Sequence, residues 1–309
     1  MGINLDNLIY PYFVISGKGR KQVIKSFPGV YRFSIDRILG DIYETSKLGI
    51  NKMLLFGIPD RKDVSALEAF KDDNIVSLAV KAIKNEFPGL SIFTDVCLCA
   101  YTSHGHCGII KSQVRSQKSQ VLFDYKKTLE VLAKIALSHA KAGADWVAPS
   151  AMAKNQVHVI RSTLDKHGFT KTKILGYSAK FASNFYGPFR NAADSSPRFG
   201  DRNGYQLAYT DADAALRELR DDIKEGADMV MVKPALSYLD VIRQAHDKFR
   251  HPLAAYNVSA EYAFVKYGGR HGLWDEKKMV LEIVSSIKRA GADLVISYHA
   301  KDIAKWQRD

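Results

Sequence analysis

The sequence predicts a (β/α)8 barrel, and three observations predict it. Eight short apolar runs recur along the 309 residues, helical patterns lie between most of them, and a Gly-Ala-Asp turn occurs three times. Near-continuous apolar runs are typical of parallel strands covered on both faces, and their alternation with helices indicates βα units. An open doubly wound sheet is the alternative, but no G-x-G-x-x-G follows the first run, which weakens a dinucleotide-binding interpretation. We therefore expect one barrel domain over residues 1–309.

The predicted strands and helices follow one another in a regular order. Each strand is an apolar run bounded by polar or turn residues, and each helix has apolar residues at spacings of three and four. The predicted strands cover 10–16, 52–58, 91–98, 145–150, 173–180, 228–234, 253–259 and 293–300. The predicted helices cover 36–48, 65–86, 124–142, 155–167, 211–225, 237–248 and 276–290.

The repeated Gly-Ala-Asp turns begin at Gly143, Gly226 and Gly291. Each follows a helix-like run and precedes an apolar one. The glycine fits the position directly after a helix, where a left-handed backbone is common. The repeated unit is therefore a helix, a tight turn and a buried strand.

The composition indicates a globular chain, with 46% hydrophobic and 25% charged residues. No apolar run approaches the roughly 20 residues that span a bilayer. The apolar N-terminal run has no basic segment before it, and Pro11 interrupts it, so a signal peptide is not expected. We expect a soluble, cytoplasmic protein with no membrane partner.

The net charge of +12 raises nucleic acid as a partner class. The basic residues are scattered, however, and the densest run, 111–127, carries few aromatic residues. We interpret that run as a solvated loop and expect no nucleic-acid partner. A basic field also suits a pocket for small carboxylates.

All three cysteines, Cys97, Cys99 and Cys107, fall within eleven residues. Thiolates are ligands that zinc prefers, and three protein ligands leave the fourth position open, as in catalytic sites. His104 and His106 are further candidates at this stage. Buried small hydrophobic residues, a disulfide and a redox site remain alternatives.

Lys180 and Lys233 end the fifth and sixth predicted strands. Neighbouring strands lie roughly 4.8 Å apart, so the two ammonium groups should be close. Each disfavours the charged form of the other, and we expect lowered pKa values. A neutral lysine amine can attack a ketone and form a Schiff base. Two lysines that extend to solvent at the barrel rim are the alternative.

Other strand ends are also rich in polar groups, as an active site at the carboxyl end of a barrel requires. These groups are Asp95, Ser150, Ser178, Tyr256, Ser259, Tyr298 and His299. The segment 181–210 is long, rich in Gly, Pro and Ser, and carries Arg190, Arg198, Arg202 and Gln206. We predict an active-site lid whose arginines grip a substrate carboxylate, with a solvated basic loop as the alternative.

Four long motifs carry a specific resemblance. They are "TDVCLCAYTSHGHCGI", "YSAKFASNFYGPFRNAADSSPRFGDR", "EGADMVMVKPALSYLDVI" and "YNVSAEYAF". With them the chain resembles the porphobilinogen synthase (5-aminolevulinate dehydratase) family over essentially its whole length. The resemblance implies a (β/α)8 barrel that condenses two molecules of 5-aminolevulinate into porphobilinogen, with loss of two waters, in tetrapyrrole (heme) biosynthesis.

The resemblance also assigns roles to residues. Lys233 resembles the principal Schiff-base lysine and Lys180 the second one, with Asp95 and Ser150 assisting proton transfer near Lys180. One substrate carboxylate would be held by Arg190, Arg202 and Gln206, and the other by Ser259 and Tyr298, with Tyr256 beside them. The three cysteines resemble active-site zinc ligands, and Glu218 resembles an allosteric magnesium position. The family assembles as homo-oligomers built from dimers, either octamers or hexamers.

The chain departs from the family pattern in three segments, one of which is the loop after Cys107, usually acidic in the family and here basic with Lys111, Arg115 and Lys118. Residues 1–8 form a shortened N-terminal arm, and "SAMAKNQ" at 150–156 stands where the family tends to read Ser-Asp-Met-Met-Asp-Gly-Arg. Ser150 stays, but two acids and an arginine are replaced. A catalytically altered relative of the same fold, acting as a zinc-binding or other lysine Schiff-base protein, is therefore the alternative function.

Overall fold

Eight parallel strands close into a barrel in a computed structural model that describes residues 3–111 and 121–308. The first strand pairs with the second on one side and with the last on the other, where Leu8 is opposite Val295. A short antiparallel hairpin, β2 and β3, lies beside β1. The barrel strands are β1 Leu8–Ile15, β4 Lys52–Ile58, β5 Ser91–Val96, β6 Trp146–Pro149, β7 Lys173–Lys180, β8 Met229–Lys233, β9 Leu253–Asn257 and β10 Leu294–Ser297; the hairpin is β2 Lys21–Val23 and β3 Tyr31–Phe33.

Helices between the strands form the outer layer, and the predicted barrel is confirmed. They are α1 Ile35–Lys47, α2 Ile75–Glu86, α3 Tyr125–Lys141, α4 Gln156–Lys166, α5 Gly187–Ala192, α6 Ala212–Lys224, α7 Leu239–Phe249, α8 Ser259–Arg270, α9 Glu276–Ala290 and α10 Ala300–Trp306. The predicted helix 65–86 is wrong in its first part, because a short 3₁₀ turn over Leu67–Phe70 precedes α2. Helices α5, α8 and α10 were not predicted.

At each Gly-Ala-Asp turn, a hydrogen bond connects the start of one barrel strand to the start of the neighbouring strand. Each glycine has a positive φ, between 97° and 123°, which L-residues rarely adopt. The aspartate carboxylate then accepts the backbone N–H that opens the preceding strand of the barrel. Asp145 accepts from Ile92 at 2.7 Å, Asp228 from Ile174 at 2.8 Å and Asp293 from Leu253 at 2.8 Å. The repeat therefore ties the amino ends of the strands together, away from the site described below.

Two apolar clusters divide the core. One fills the barrel interior and includes Phe13, Phe93, Leu175 and Met231. The other lies between the strands and the helices. Because the interior is packed with side chains, a ligand can bind only at an end of the barrel. Among the described residues, no helix is long and apolar enough to cross a membrane. Most of the basic run 111–127 lies outside the described residues.

A β-bulge in β7 turns Lys180 toward the barrel axis. Leu175 and Tyr177 point inward, and strict alternation would next place Ala179 inside. The register shifts between Gly176 and Ala179, so Ala179 joins the outer layer instead. Lys180 consequently lies directly opposite Lys233 in the sheet.

Candidate active site

Charged and aromatic side chains meet in an enclosed pocket at the carboxyl end of the barrel. Each comes from the end of a different strand or from the segment between β7 and α6. Because parallel strands all end on the same side, residues distant in sequence converge there. The pocket is lined by Phe56, Asp95, Cys99, Ser150, Lys180, Tyr186, Phe189, Arg202 and Lys233.

Lys233, the last residue of β8, is 4% exposed and is surrounded by aromatic rings. Its Nζ lies 4.3 Å from the ring centroid of Tyr256, 4.9 Å from Tyr177, 5.1 Å from Phe189 and 5.3 Å from Tyr186. Burial, with a smaller contribution from the positive charge of Lys180, lowers the pKa of Lys233 to about 7. A substantial fraction of this amine is therefore neutral at neutral pH and able to act as a nucleophile.

Lys180 lies in a more polar part of the same pocket. Its Nζ donates a hydrogen bond of 2.6 Å to the backbone oxygen of Ser150, the residue directly after β6. Asp95, on β5, lines the same pocket as Lys180 and Ser150. Burial raises the pKa of Asp95, while Lys180 and a hydrogen bond from Ser150 oppose that rise. A carboxyl group held in this balance suits proton transfer next to a lysine.

The three cysteines come together beyond the end of β5. Their Sγ atoms all lie within 4.8 Å of one another, and the Sγ atoms of Cys97 and Cys99 are 3.4 Å apart. The thiols are buried and free of disulfides. Hydrogen bonds from Cys97 and Cys99 lower the pKa of Cys107, despite burial, whereas the hydrogen bond with Cys107 raises the pKa of Cys97 and of Cys99, so the first thiolate forms at Cys107. Thiolates bound to one tetrahedral zinc would lie about 3.8 Å apart, so the geometry fits a thiolate-bound metal ion.

Of the two histidines beside the cysteines, His106 contacts the lid segment with its side chain. The Nε2 of His106 lies 2.8 Å from the backbone oxygen of Phe199, and its Nδ1 lies 3.1 Å from the hydroxyl of Tyr205. His104 accepts the backbone N–H of His106 through Nδ1. Within the described residues, the metal-ligating cluster comprises the cysteines alone. The histidines are therefore neighbours of this cluster.

The segment 181–210 folds over the pocket. It contains α5 as well as loop, and Phe181 pairs with Leu207 at its base. Arg202 is 5% exposed, and its Nη2 donates to the backbone oxygens of Gly105 and Ser195, at 3.0 and 2.6 Å. These bonds connect the lid to the cysteine loop and place a guanidinium in the pocket wall.

Several polar atoms under the lid are buried without a hydrogen-bond partner in the described structure. They are the side-chain oxygen and nitrogen of Gln206 and the Nε atoms of Arg190 and Arg202. Burial, and the positive charge of Arg202, lower the pKa of Arg190. Unsatisfied buried donors are costly, so their presence together favours an anionic ligand.

Ser259, Tyr256 and Tyr298 are not among the residues that line the pocket, although the Tyr256 ring lies 4.3 Å from Lys233 Nζ. The hydroxyls of Tyr256 and Tyr298 are hydrogen-bonded at 3.0 Å. Ser259 is the first residue of α8 and no longer part of a strand, so the predicted strand 253–259 is two residues too long. Its hydroxyl donates to the backbone oxygen of Phe185 and accepts the N–H of Phe189. It is thus engaged with the lid.

Some site residues were not predicted. Phe56 and Tyr177, on β4 and β7, and Tyr186 and Phe189, in the lid, surround the lysines, and no spacing in the sequence relates the two pairs. Ser178, which the strand-end pattern favoured, faces α6 instead, where it hydrogen-bonds Asp222. The bulge described above accounts for that difference.

Comparisons with known proteins agree over nearly the whole chain. The family model described as delta-aminolevulinic acid dehydratase matches residues 1–306. The chain is 48% identical over 301 residues to the delta-aminolevulinic acid dehydratase of Bacillus subtilis, covering 97% of this chain and 90% of that protein. It is 50% identical over 300 residues to that of Synechococcus elongatus, covering 97% and 91%. The crystal structure of the Toxoplasma gondii delta-aminolevulinic acid dehydratase (porphobilinogen synthase) in complex with porphobilinogen matches with a TM-score of 0.94 and 41% identity, covering 98% of this chain and 85% of that one.

Proposed function

The chain belongs to the delta-aminolevulinic acid dehydratase family, and we propose that it condenses two molecules of 5-aminolevulinate into porphobilinogen. The reaction forms one carbon–carbon and one carbon–nitrogen bond and releases two waters. It needs two subsites that treat identical keto-amines differently. The two unlike lysine environments supply that difference.

Lys233 acts as the principal Schiff-base residue. Its neutral amine attacks the ketone of one substrate, and the carbonyl oxygen leaves as water once the imine forms. The surrounding aromatic rings and the lid exclude bulk water, which keeps the amine neutral and protects the imine from hydrolysis. The observation that carries this proposal is the burial of Lys233 directly opposite Lys180.

Lys180 forms the second Schiff base, and Asp95 and Ser150 assist proton transfer beside it. The 2.6 Å hydrogen bond to the backbone of Ser150 fixes the position of the Lys180 amine. Asp95 shares the pocket wall with both lysines and can take a proton from a substrate carbon or amine.

The substrate carboxylates are bound on two sides of the lysines. Arg190, Arg202 and Gln206 hold one of them, since each has a buried side-chain donor that lacks a protein partner in the described structure. Ser259 and Tyr298 hold the other. The lid of residues 181–210 closes over the bound substrates and fixes their orientation.

The cysteine cluster would hold zinc. Cys97, Cys99 and Cys107 supply three thiolates, which leaves a further coordination position for a substrate group. When bound, the metal supplies Lewis-acid polarisation and orientation of a substrate amine or carbonyl oxygen. Cys99 also lines the pocket that contains both lysines, so the metal site and the lysine site are continuous.

Two further features remain predictions. Glu218, the predicted allosteric magnesium residue, lies on α6, where burial and the nearby Asp221 raise its pKa. A homo-oligomer built from dimers is expected, and light scattering of the purified protein would measure its size.

The function is tested by measuring porphobilinogen formation from 5-aminolevulinate under two conditions. One contains zinc, and the other contains a chelator that does not react with thiols. We expect pyrrole formation that the chelator abolishes and zinc restores. Absence of the pyrrole under both conditions would contradict the proposal and favour a catalytically altered relative.

A further inference from the structure

We infer that Glu261, a buried residue of α8 outside the pocket wall, is a positioning residue that sets the geometry of Lys233. The inference rests on the proposed function of Lys233. Glu261 is 2% exposed, and its carboxylate hydrogen-bonds to three donors on two different strand ends.

The first of these bonds reaches the turn that follows Lys233. Glu261 Oε1 accepts the backbone N–H of Leu236 at 2.8 Å, three residues after the lysine. The turn between them leaves β8 and enters α7. Anchoring its far end limits the positions that the last residue of β8 can adopt.

The second pair of bonds reaches the end of β9. Glu261 Oε2 accepts the backbone N–H of Val258 at 2.7 Å and the side-chain amide of Asn257 at 3.0 Å. A bond to Val258 alone would be an ordinary helix cap, because it comes from the residue just before α8. The bonds to Leu236 and Asn257 exceed what a cap requires.

The network continues to the end of β10. Ser297 donates to Asn257 Oδ1 at 2.9 Å and accepts the backbone N–H of His299 at 3.1 Å. Asn257 and Ser297 are fully buried. One chain of hydrogen bonds thus joins the ends of β8, β9 and β10, which carry Lys233, Ser259 and Tyr298.

The same helix turn also holds the lid. Ser259, two residues before Glu261, bonds to the backbone of Phe185 and Phe189. The ring of Phe189 lies 5.1 Å from Lys233 Nζ. The first turn of α8 therefore fixes both Lys233, through Glu261, and one ring of its aromatic surroundings, through Ser259. Small displacements of a reacting group cost large factors in rate, so loss of this anchor should slow chemistry at Lys233.

All three partners of Glu261 are donors, which a carboxylate matches and an amide does not. Glu261→Gln keeps the size of the side chain but turns an NH₂ group toward one of these donors. Glu261→Asp keeps the carboxylate on a shorter arm. Asn74→Ala is the matched control, because Asn74 is also buried and also bonds two helices, α2 and α3, away from the lysines.

The test is the rate at which borohydride traps 5-aminolevulinate on each lysine in the full-length protein, resolved by peptide mass spectrometry. Glu261→Gln should lower the rate at Lys233 about 10-fold to 100-fold, with a much smaller change at Lys180. Glu261→Asp should recover part of the loss. Asn74→Ala should lower the melting temperature and leave both trapping rates close to those of the wild type.

Two results separate the possible failures. An unmodified Lys233 in the wild-type protein would overturn the proposed function itself. Suppose instead that the wild type is labelled at Lys233. The positioning role is then overturned if Glu261→Gln leaves the trapping rate at Lys233 unchanged, or lowers the rate equally at both lysines. If Glu261→Gln does not fold, the trapping rates of Glu261→Asp and Asn74→Ala are compared under conditions where the two variants are equally stable. A lower rate at Lys233 in Glu261→Asp alone supports the positioning role, and equal Lys233 rates in the two variants overturn it.

Discussion

The two lysine ends of β7 and β8 are paired in the sheet, yet their surroundings differ. Lys233 lies among four aromatic rings, and burial lowers its pKa to about 7. Lys180 donates to the backbone of Ser150 and lies beside Asp95 and the cysteine cluster. The positions of the two lysines at the ends of neighbouring strands bring them together, whereas the residues around each amine determine its chemical properties. The apolar enclosure lowers the pKa of Lys233, and the polar surroundings place Lys180 beside a carboxyl group suited to proton transfer.

The largest expected effect comes from removing the amine at the apolar end. Lys233→Met should lower kcat for porphobilinogen formation by about 10³-fold or more, because no other group can form that imine. Lys180→Met should also be strongly impaired but should still form the adduct on Lys233. The measurement is steady-state kinetics combined with trapping. If Lys180→Met lost the Lys233 adduct as completely as Lys233→Met does, the two lysines would not have distinct roles.

The next largest effect is expected at the cysteine cluster, when one thiolate is removed. Cys99→Ser should lower zinc affinity at least about 10-fold, since an alcohol is a poorer ligand than a thiolate. Metal titration of the purified variant checks this, and trapping at Lys233 should be much less affected than turnover. Unchanged zinc binding would contradict the thiolate site.

The charges around Lys233 should move its titration in opposite directions. Lys180→Met removes a positive neighbour and should raise the pKa of Lys233, whereas Asp95→Asn removes a negative one and should lower it. Because only the neutral amine reacts, the trapping rate rises with pH through this pKa and is constant above it. The midpoint should therefore shift to higher pH in the first variant and to lower pH in the second. Shifts of the same sign would contradict the electrostatic account.

The smallest effect is expected at the tyrosine pair. Tyr256→Phe removes the 3.0 Å hydrogen bond to Tyr298 but keeps the ring beside Lys233. A neutral hydrogen bond contributes about 1 kcal/mol, so kcat/KM should fall about five-fold or less. A loss comparable to that of Lys233→Met would indicate that the hydroxyl takes part in the chemistry.

The barrel and the residues at its strand ends could be predicted from sequence because both depend on local patterns. Apolar runs, helical spacing and the Gly-Ala-Asp turns each report a nearby structure. The lysine pair was also predictable, since each lysine directly ends an apolar run. The resemblance to a family then supplied roles that pattern alone leaves open.

Features that depend on tertiary contacts could not be predicted. The bulge that turns Lys180 inward puts Lys180 and Ser178 on different faces, although they are two residues apart. Gly176 inside the apolar run is a signal for a bulge, but it does not specify at which residue the register shifts. The rings around Lys233 come from β7, β9 and two points in the lid, which sequence spacing does not relate. Ser259 opens a helix that the apolar pattern of 253–259 conceals.

The most direct test of the account is the pH dependence of borohydride trapping of 5-aminolevulinate on the wild-type protein. We expect an adduct on Lys233 whose formation rate is half-maximal near the Lys233 pKa of about 7. An unmodified Lys233, or a rate that keeps rising to the pH where an ordinary lysine titrates, about 10.4, would contradict it.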